Sequence, residues 1–149
     1  MVGEFMIDII IPTYNSNNTL ADTLESIIKQ VDIPKICVYI VDDGSECDYS
    51  DIIDKYKDKI DIFFKKNVEN KGPGYARNDA LSISNGEYII FIDSDDVFYS
   101  NNSISTLYNS IVSTNSDIVT SVIIQEGIDN NNIFSNDLIG SFKTFENII

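Results

Sequence analysis

The chain has 149 residues, enough for one domain, and its 43% of hydrophobic residues, with eight Phe and eight Tyr, can fill a single core. Its formal charge of −14 argues against a nucleic-acid backbone or an anionic membrane surface as partner, because both attract basic proteins. No apolar run reaches the roughly 18 to 20 residues of a membrane span, and no signal peptide is visible.

Two cysteines, Cys37 and Cys47, lack zinc spacing, and the chain contains no histidine. We expect both to be reduced thiols of a cytoplasmic protein. Residues 1–5 precede a second methionine, and we interpret them as a cloning remnant or a disordered N-terminus. The predicted organisation is then a core over residues 6–126 and a poorly defined tail over residues 127–149.

Apolar runs alternate with stretches of helical periodicity along most of the chain. β-branched runs bounded by Pro or acidic residues predict strands, and apolar residues at i, i+3 and i+4 predict helices. The predicted strands cover residues 7–11, stopped by Pro12, and then 36–41, 60–64, 88–92, which is buried, and 117–125. The predicted helices cover residues 20–31, capped by Asn18 or Thr19, a stretch from about Ser50, a stretch opened by residues 70–78, and residues 104–112. In the third helix we expect Ala76, Ala80, Leu81 and Ile83 to be buried and Gly86 to end the helix.

This alternation predicts an α/β fold with a mostly parallel sheet built from right-handed βαβ units, flanked by helices. The more alternating run at 60–64 suits an edge of the sheet. Ligands of such sheets bind outside the carboxyl ends of the strands, near a switch in strand order. Three loops fall there, and they carry Tyr14, Asp42 with Asp43, and Asp93 with Asp95.

The strand predicted over 88–92 ends in three carboxylates, those of Asp93, Asp95 and Asp96. Carboxylates this close repel one another and raise at least one pKa, unless a cation or several hydrogen-bond donors lie among them. The turn therefore predicts a hard-metal site. A Mg²⁺ or Mn²⁺ ion held by one or two carboxylates would also neutralise a nucleotide diphosphate on this acidic protein.

Other residues of these loops match the remaining needs of a nucleotide. A base needs an aromatic face and an acceptor for its ring N–H, and Tyr14 and Asp43 are residues of these types. Arg77 follows the glycine-rich turn at 72–74 and is placed to reach phosphate oxygens.

Four motifs carry a resemblance to a known family. In order they are Ile9–Asn15 (IIIPTYN), Val41–Ser45 (VDDGS), Asn70–Asn78 (NKGPGYARN) and Ile92–Asp96 (IDSDD). Their order and spacing, over residues 6–97, resemble those of family 2 glycosyltransferases with the GT-A fold. Each motif alone is weak, whereas four in sequence are specific.

The resemblance implies a metal-dependent transferase, usually inverting, that moves a sugar from a nucleotide diphosphate sugar, usually a UDP-sugar, to an acceptor hydroxyl of a surface polysaccharide or glycoconjugate. Thr13 and Tyr14 would line the base pocket, Asp43 would bind the uracil, and Asp93 would approach the ribose or sugar. The implied nucleotide-binding residues are Pro12, Thr13, Tyr14, Asp42, Asp43, Gly74, Arg77, Asp93 and Ser94, and the implied ligands of Mn²⁺ or Mg²⁺ are Asp95 and Asp93.

The family pattern also calls for a general base on the acceptor side, and no acid after Asp117 stands in a recognisable context. We expect the base beyond the chain end, and we interpret residues 127–149 as the start of a truncated acceptor-side region. A catalytically silent nucleotide-sugar-binding module is therefore an alternative. The run 91–97 also resembles the first motif of haloacid-dehalogenase-type phosphatases, although only Lys143 follows it and the required order of later motifs fails.

Plain structural interpretations exist for the same residues. The acids at 93–96 could form a solvated turn, 42–44 an ordinary turn, and 72–74 a simple helix start. Tyr14 could be a core aromatic, and Arg77 could be a surface ion-pair partner.

Overall fold

A computed structural model describes residues 6–121 and 140–142 of the chain. The predictions for residues 1–5 and for most of the tail at 127–149 lie outside these ranges. The described residues fall into two compact units, which divide after Asn101. The predicted core boundary at residue 126 stays a prediction.

Four parallel strands form the sheet of the first unit. The strands are β1 (Met6–Thr13), β2 (Lys35–Asp42), β3 (Asp61–Lys66) and β4 (Tyr88–Phe91). They lie in the order β3-β2-β1-β4, so the chain moves outward from β1 to β3 and then returns to the other side of β1. The sheet confirms the predicted mostly parallel α/β architecture, with β3 at an edge, and puts the switch in strand order at β1.

Strand β1 is longer than predicted because Pro12 does not stop it. The carbonyl of Ile10 accepts a bond from the N–H of Ile92, while that of Thr13 accepts one from Asp43. The backbone polar groups of successive β1 residues therefore point alternately toward β4 and toward β2. The backbone nitrogen of Pro12 is on the β4 side, beyond the end of β4. Its missing N–H costs no ladder bond there, so β1 continues to the edge of the loops.

Helices cover the sheet on both faces. They are α1 (Leu20–Ile28), α2 (Ser50–Tyr56) and α3 (Pro73–Leu81). The helix α3 packs on β1 and β2 through Ala76 and Ala80, both fully buried, against Ile10, Tyr39 and Val41. Ile7, Ile9 and Ile11 alternate to the opposite face and are equally buried. Strand β1 is therefore the centre of the apolar core of this unit. Burial of each such isoleucine stabilises the fold by about 1.5–3 kcal/mol.

Three details of α3 and the loop after it differ from prediction. Leu81 and Ile83 are each 39% exposed rather than buried, and the helix ends well before Gly86. Gly86 lies instead against Asp8, a fully buried carboxylate in β1, where a Cβ on the glycine would come within 2.7 Å of Asp8 Cγ. Asp8 Oδ2 accepts the N–H groups of Asn85 at 2.8 Å and of Gly86 at 2.7 Å. The pair therefore anchors the chain just before β4.

Two further elements of the first unit differ from prediction. The helix α1 ends at Ile28, and Val31, predicted on its inner face, is 49% exposed. The strand β4 is shorter than predicted and lies at an edge of the described sheet, with Phe91 50% exposed rather than buried.

The second unit contains α4 (Ser103–Thr114), close to its predicted bounds, which ends at Asn115 in the left-handed region with φ 49°. It also contains β5 (Ile118–Thr120), which pairs antiparallel with β6 (Gly140–Phe142). Of the strand predicted over 117–125, the structure shows residues 118–120 as β5, and residues 122–125 lie outside the described ranges. No helix in the described ranges is long and apolar enough to cross a membrane.

Candidate functional site

The loops that follow β1, β2 and β4 are joined by direct hydrogen bonds. Asn15, with φ 51°, donates its N–H to Ser45 Oγ at 2.8 Å, and its side-chain oxygen accepts the N–H of Glu46 at 3.1 Å. Ser94 Oγ donates to Ser16 Oγ at 2.8 Å. The structure thus brings together the three loops that the parallel topology predicts to meet.

Asp43 lies at the centre of this arrangement and is only 3% exposed. Its Oδ2 accepts the N–H groups of Lys71 at 3.0 Å and Gly72 at 2.6 Å, which fixes the entry to α3. Its Oδ1 is buried and has no hydrogen-bond partner among the described residues. A buried acceptor left unpaired costs about 1–3 kcal/mol. A donor supplied to this oxygen would therefore relieve that cost.

Asp42 has a different environment from its neighbour. It is fully buried, and its Oδ1 accepts both the N–H and the hydroxyl of Ser45. Its Oδ2 lies 3.4 Å from Lys66 Nζ, which also donates to the Ser45 carbonyl at 2.8 Å. These contacts make Asp42 an anchor of its own loop. Direct contact between Asp42 and a nucleotide stays a prediction.

The predicted base-pocket residues of the first motif differ in accessibility. Pro12 is buried, and Thr13 is 2% exposed and donates its hydroxyl to Tyr49 Oη at 2.9 Å. Tyr14 is 49% exposed, so it is not the core aromatic of the plain interpretation. Of these three side chains, that of Tyr14 is the one a ligand can reach.

The glycines of the second and third motifs have distinct roles. Gly44 has φ +80°, and a Cβ there would lie 2.8 Å from the backbone carbon of Glu69, so the two loops can approach only with glycine at this position. Gly72, with φ +93°, turns the chain into α3. A Cβ on Gly74 would meet nothing within 4 Å, so this predicted contact residue borders open space.

The acidic motif forms a turn after β4. The N–H of Asp96 donates to the carbonyl of Asp93 at 3.0 Å, and Ser94 is buried inside the turn. Asp95 is exposed and makes no hydrogen bond or ion pair with any residue in the two described ranges. Burial, together with the negative charges of Asp95 and Asp93, raises the pKa of Asp96 above its usual value. The turn is therefore a concentration of negative charge.

Arg77 reaches this turn from α3. Its guanidinium forms an ion pair with Asp93 Oδ1, and both side chains are partly exposed. Arg77, Asp93 and Ser94, all predicted site residues, thus lie at one place in the structure.

Three polar side chains, on α1 and just after its end, hold the chain beyond the turn, and the sequence interpretation missed them. Thr23, Ser26 and Gln30 bond to the backbone of residues 96–100 at distances of 2.7–3.1 Å. Thr23 and Gln30 are buried despite their polarity. The available signal was a row of polar residues at helical spacing beside an apolar stripe. The same pattern is typical of an ordinary solvent-exposed helix face.

The residues of the turn fit a hard divalent cation. Asp93 and Asp95 offer carboxylate oxygens, and the described residues contain no group of three acids, Cys or His arranged to enclose an ion. Mg²⁺ and ions like it are commonly held by one or two carboxylates, with phosphates and water completing the shell. The donor set therefore suits a cation shared with a phosphate ligand rather than a closed structural site.

Comparison with known proteins places these motifs in a family. The model of glycosyl transferase family 2 matches residues 8–148. The poly(ribitol-phosphate) beta-glucosyltransferase of Bacillus spizizenii is 39% identical over 119 residues, covering 75% of this chain and 18% of that protein. The Escherichia coli UDP-Glc:alpha-D-GlcNAc-diphosphoundecaprenol beta-1,3-glucosyltransferase WfaP is 45% identical over 91 residues, covering 61% of this chain and 36% of that protein.

The crystal structure of S. aureus TarS 1–349 in complex with UDP-GlcNAc superposes with a TM-score of 0.70 and 30% identity, over 81% of this chain and 37% of that one. The present chain thus spans less than two fifths of the length of each of these relatives. The family match extends over nearly the whole of the present chain, and it confirms the resemblance carried by the four motifs. The chain belongs to glycosyl transferase family 2 and has the GT-A fold.

Proposed function

We propose that this chain is the donor-binding part of a glycosyltransferase and that it binds a UDP-sugar at the loops after β1, β2 and β4. The observation that carries the proposal is the buried Oδ1 of Asp43 at the carboxyl edge of the sheet, which has no hydrogen-bond partner in the part of the chain that the structure describes. The relatives support it, because the name of WfaP states a UDP-glucose donor and TarS was crystallised with UDP-GlcNAc.

In the proposed complex, Asp43 Oδ1 accepts the imino N–H of uracil, and the exposed ring of Tyr14 provides a face for the base. The backbone bonds from residues 71 and 72 hold the Asp43 carboxylate in place before the ligand arrives. A hydrogen bond to a charged acceptor contributes about 1.5–3 kcal/mol, so this contact alone can discriminate strongly between bases.

The diphosphate is proposed to lie over the acidic turn. Asp95 and Asp93 would hold Mn²⁺ or Mg²⁺ there, and the ion would neutralise the charge of the diphosphate. Arg77 adds a fixed positive charge beside the same turn. Ser94 is buried in the turn and bonds to Ser16, so its proposed contribution is to the shape of the site.

For the whole protein we propose transfer with inversion to a hydroxyl of a surface polysaccharide or glycoconjugate. The acceptor oxygen attacks the anomeric carbon, the bond to the diphosphate breaks, and a base on the acceptor side takes the hydroxyl proton. The acceptor class rests on the names of the relatives, which mention poly(ribitol-phosphate) and a diphosphoundecaprenol glycolipid. The comparisons do not favour the phosphatase alternative.

We also propose a cytoplasmic location. Cys37 and Cys47 are both free thiols, as the sequence predicted, and a reducing compartment preserves such thiols.

Calorimetric titration of UDP and of CDP, both with Mn²⁺, tests the base site. Uracil has a proton at N3, whereas cytosine presents a lone pair that the Asp43 carboxylate would repel. We expect UDP to bind at least about tenfold more tightly than CDP, and Asp43→Asn to remove most of that preference. Asp58→Asn, an exposed acid near the opposite end of the sheet, serves as control and leaves the preference unchanged. Equal affinities for UDP and CDP in the unmodified protein would contradict the assignment.

A further inference from the structure

Tyr49 precedes α2 and is 1% exposed, although no site motif includes it. Its ring lies against Phe64, with centroids 6.1 Å apart, which accounts for the burial of the aromatic part. Its hydroxyl has a separate set of partners. It accepts the Thr13 hydroxyl at 2.9 Å and the N–H of Ser16 at 2.8 Å, and it lies 3.4 Å from Ser45 Oγ.

The direction of these bonds follows from the donors and acceptors available. Ser45 Oγ gives its own proton to the Asp42 carboxylate, so it can serve Tyr49 only as an acceptor. The chain of donors therefore runs from Thr13 through Tyr49 and Ser45 to Asp42. Burial is the main cause that raises the pKa of Tyr49, so its hydroxyl keeps its proton and remains a donor at neutral pH.

The hydroxyl bonds directly to two loops of the candidate site, and one of its partners, Ser16, also contacts the third loop. Thr13 and Ser16 belong to the end of β1 and the loop after it, and Ser45 belongs to the loop after β2. Ser16 also accepts, through Oγ, the hydroxyl of Ser94 in the acidic turn. Tyr14 and Asp43 each lie within two residues of one of these contacts.

We propose that Tyr49 is a positioning residue for nucleotide binding: its hydroxyl sets the relative placement of the base-binding loops and the acidic turn. The inference rests on the proposed function, because a ligand that spans base site and diphosphate site is what makes this placement matter. The ring supplies the packing in the core, whereas the hydroxyl, among the described residues, bonds to Thr13, Ser16 and Ser45 at the site. Removing the hydroxyl should therefore affect binding more than folding.

The variant Tyr49→Phe tests this, because it keeps the ring and removes the hydroxyl. Tyr56→Phe is the matched control, since Tyr56 is equally buried and is the last residue of α2, the helix that Tyr49 precedes. With Mn²⁺ present, we expect calorimetry to give a UDP affinity about tenfold lower for Tyr49→Phe and unchanged for Tyr56→Phe. We also expect the factor by which Mn²⁺ raises UDP affinity to shrink in Tyr49→Phe. Simple local damage at the base site would leave that factor unchanged.

The same hydroxyl can be probed from its partner. Thr13→Val removes one bond of the chain, and the double variant Thr13→Val with Tyr49→Phe should bind UDP no more weakly than Tyr49→Phe alone. If the unmodified protein and Tyr49→Phe bind UDP equally well, the inference is overturned and the proposed function stands. If the unmodified protein does not bind UDP, the proposed function fails and this inference fails with it.

Discussion

Arg77 donates a hydrogen bond to Asp93 across the gap between α3 and the turn after β4. The pair is partly exposed, with 31% of the arginine side chain and 49% of the aspartate side chain accessible. The surface ion pair of the plain interpretation thus exists, and it lies at the acidic turn itself. It balances one of three clustered negative charges where the proposed diphosphate arrives.

Arg77→Gln should weaken UDP binding by about three- to tenfold at saturating Mn²⁺, because the turn loses its fixed positive charge. Stability should change by less than about 1 kcal/mol, since exposed ion pairs contribute little. Calorimetry and urea unfolding measure the two effects. Lys57→Gln makes the same change of charge and breaks the Lys57–Asp54 pair, so it is the matched control and should leave UDP affinity unchanged. An equal loss of affinity in both variants would show that net charge, rather than this pair, is responsible.

Asp95→Asn should abolish the gain in UDP affinity that Mn²⁺ produces, because the exposed Asp95 carboxylate makes no hydrogen bond or ion pair among the described residues and can coordinate the ion. UDP affinity without metal should stay within about twofold of its original value. Titrations with and without Mn²⁺ measure both quantities. Asp58→Asn again provides the control for the loss of one negative charge. A full metal response in Asp95→Asn would remove Asp95 from the proposed ligands.

Gly44→Ala should destabilise the fold by about 2–4 kcal/mol, because φ +80° disfavours alanine and its Cβ would collide with the backbone at residue 69. Gly74→Ala is the internal comparison, since its Cβ would enter open space at ordinary helical φ. That variant should be neutral or more stable by up to about 1 kcal/mol. Urea unfolding of both variants tests the contrast, and similar stabilities would contradict the close approach of the two loops.

Alkaline conditions should destabilise the protein through Tyr39. Burial first, and then the negative charge of Asp8, raises the pKa of Tyr39 to about 12. In the unfolded chain the phenol ionises near pH 10, so the contribution of Tyr39 to stability should be constant below about pH 9 and be lost as the pH rises from 10 to 12. Urea unfolding over this range should show a shallower fall for Tyr39→Phe. An equally steep fall would exclude Tyr39 as a source of the effect.

The placement of the site could be predicted from the sequence because parallel topology determines it. Once β1, β2 and β4 were identified, their carboxyl ends had to meet, whatever the bounds of each strand. The roles of single acids could not be assigned so easily. Asp42 and Asp43 are adjacent in sequence but alternate in direction. Only the structure shows that Asp42 anchors its loop and has Lys66 beside its second oxygen, while Asp43 keeps an oxygen with neither a hydrogen bond nor an ion pair among the described residues.

The missed features depend on contacts between residues that are distant in sequence. Nothing near Gly86 shows that it lies against the buried Asp8, which made a helix-ending role the natural prediction. Nor does Tyr49 stand in any motif, because two of the groups that meet its hydroxyl, the Thr13 hydroxyl and the Ser16 N–H, come from residues more than thirty positions away. Such contacts follow from the assembled sheet and carry no local periodic signal.

Titration of UDP into metal-free protein, repeated with Mn²⁺, tests the central claim most directly. The proposed donor site predicts one UDP per chain, with weak binding in the absence of metal and binding at least about tenfold tighter in its presence. Absence of UDP binding under both conditions, from a chain shown to be folded, would contradict the claim that these loops form a nucleotide-sugar site.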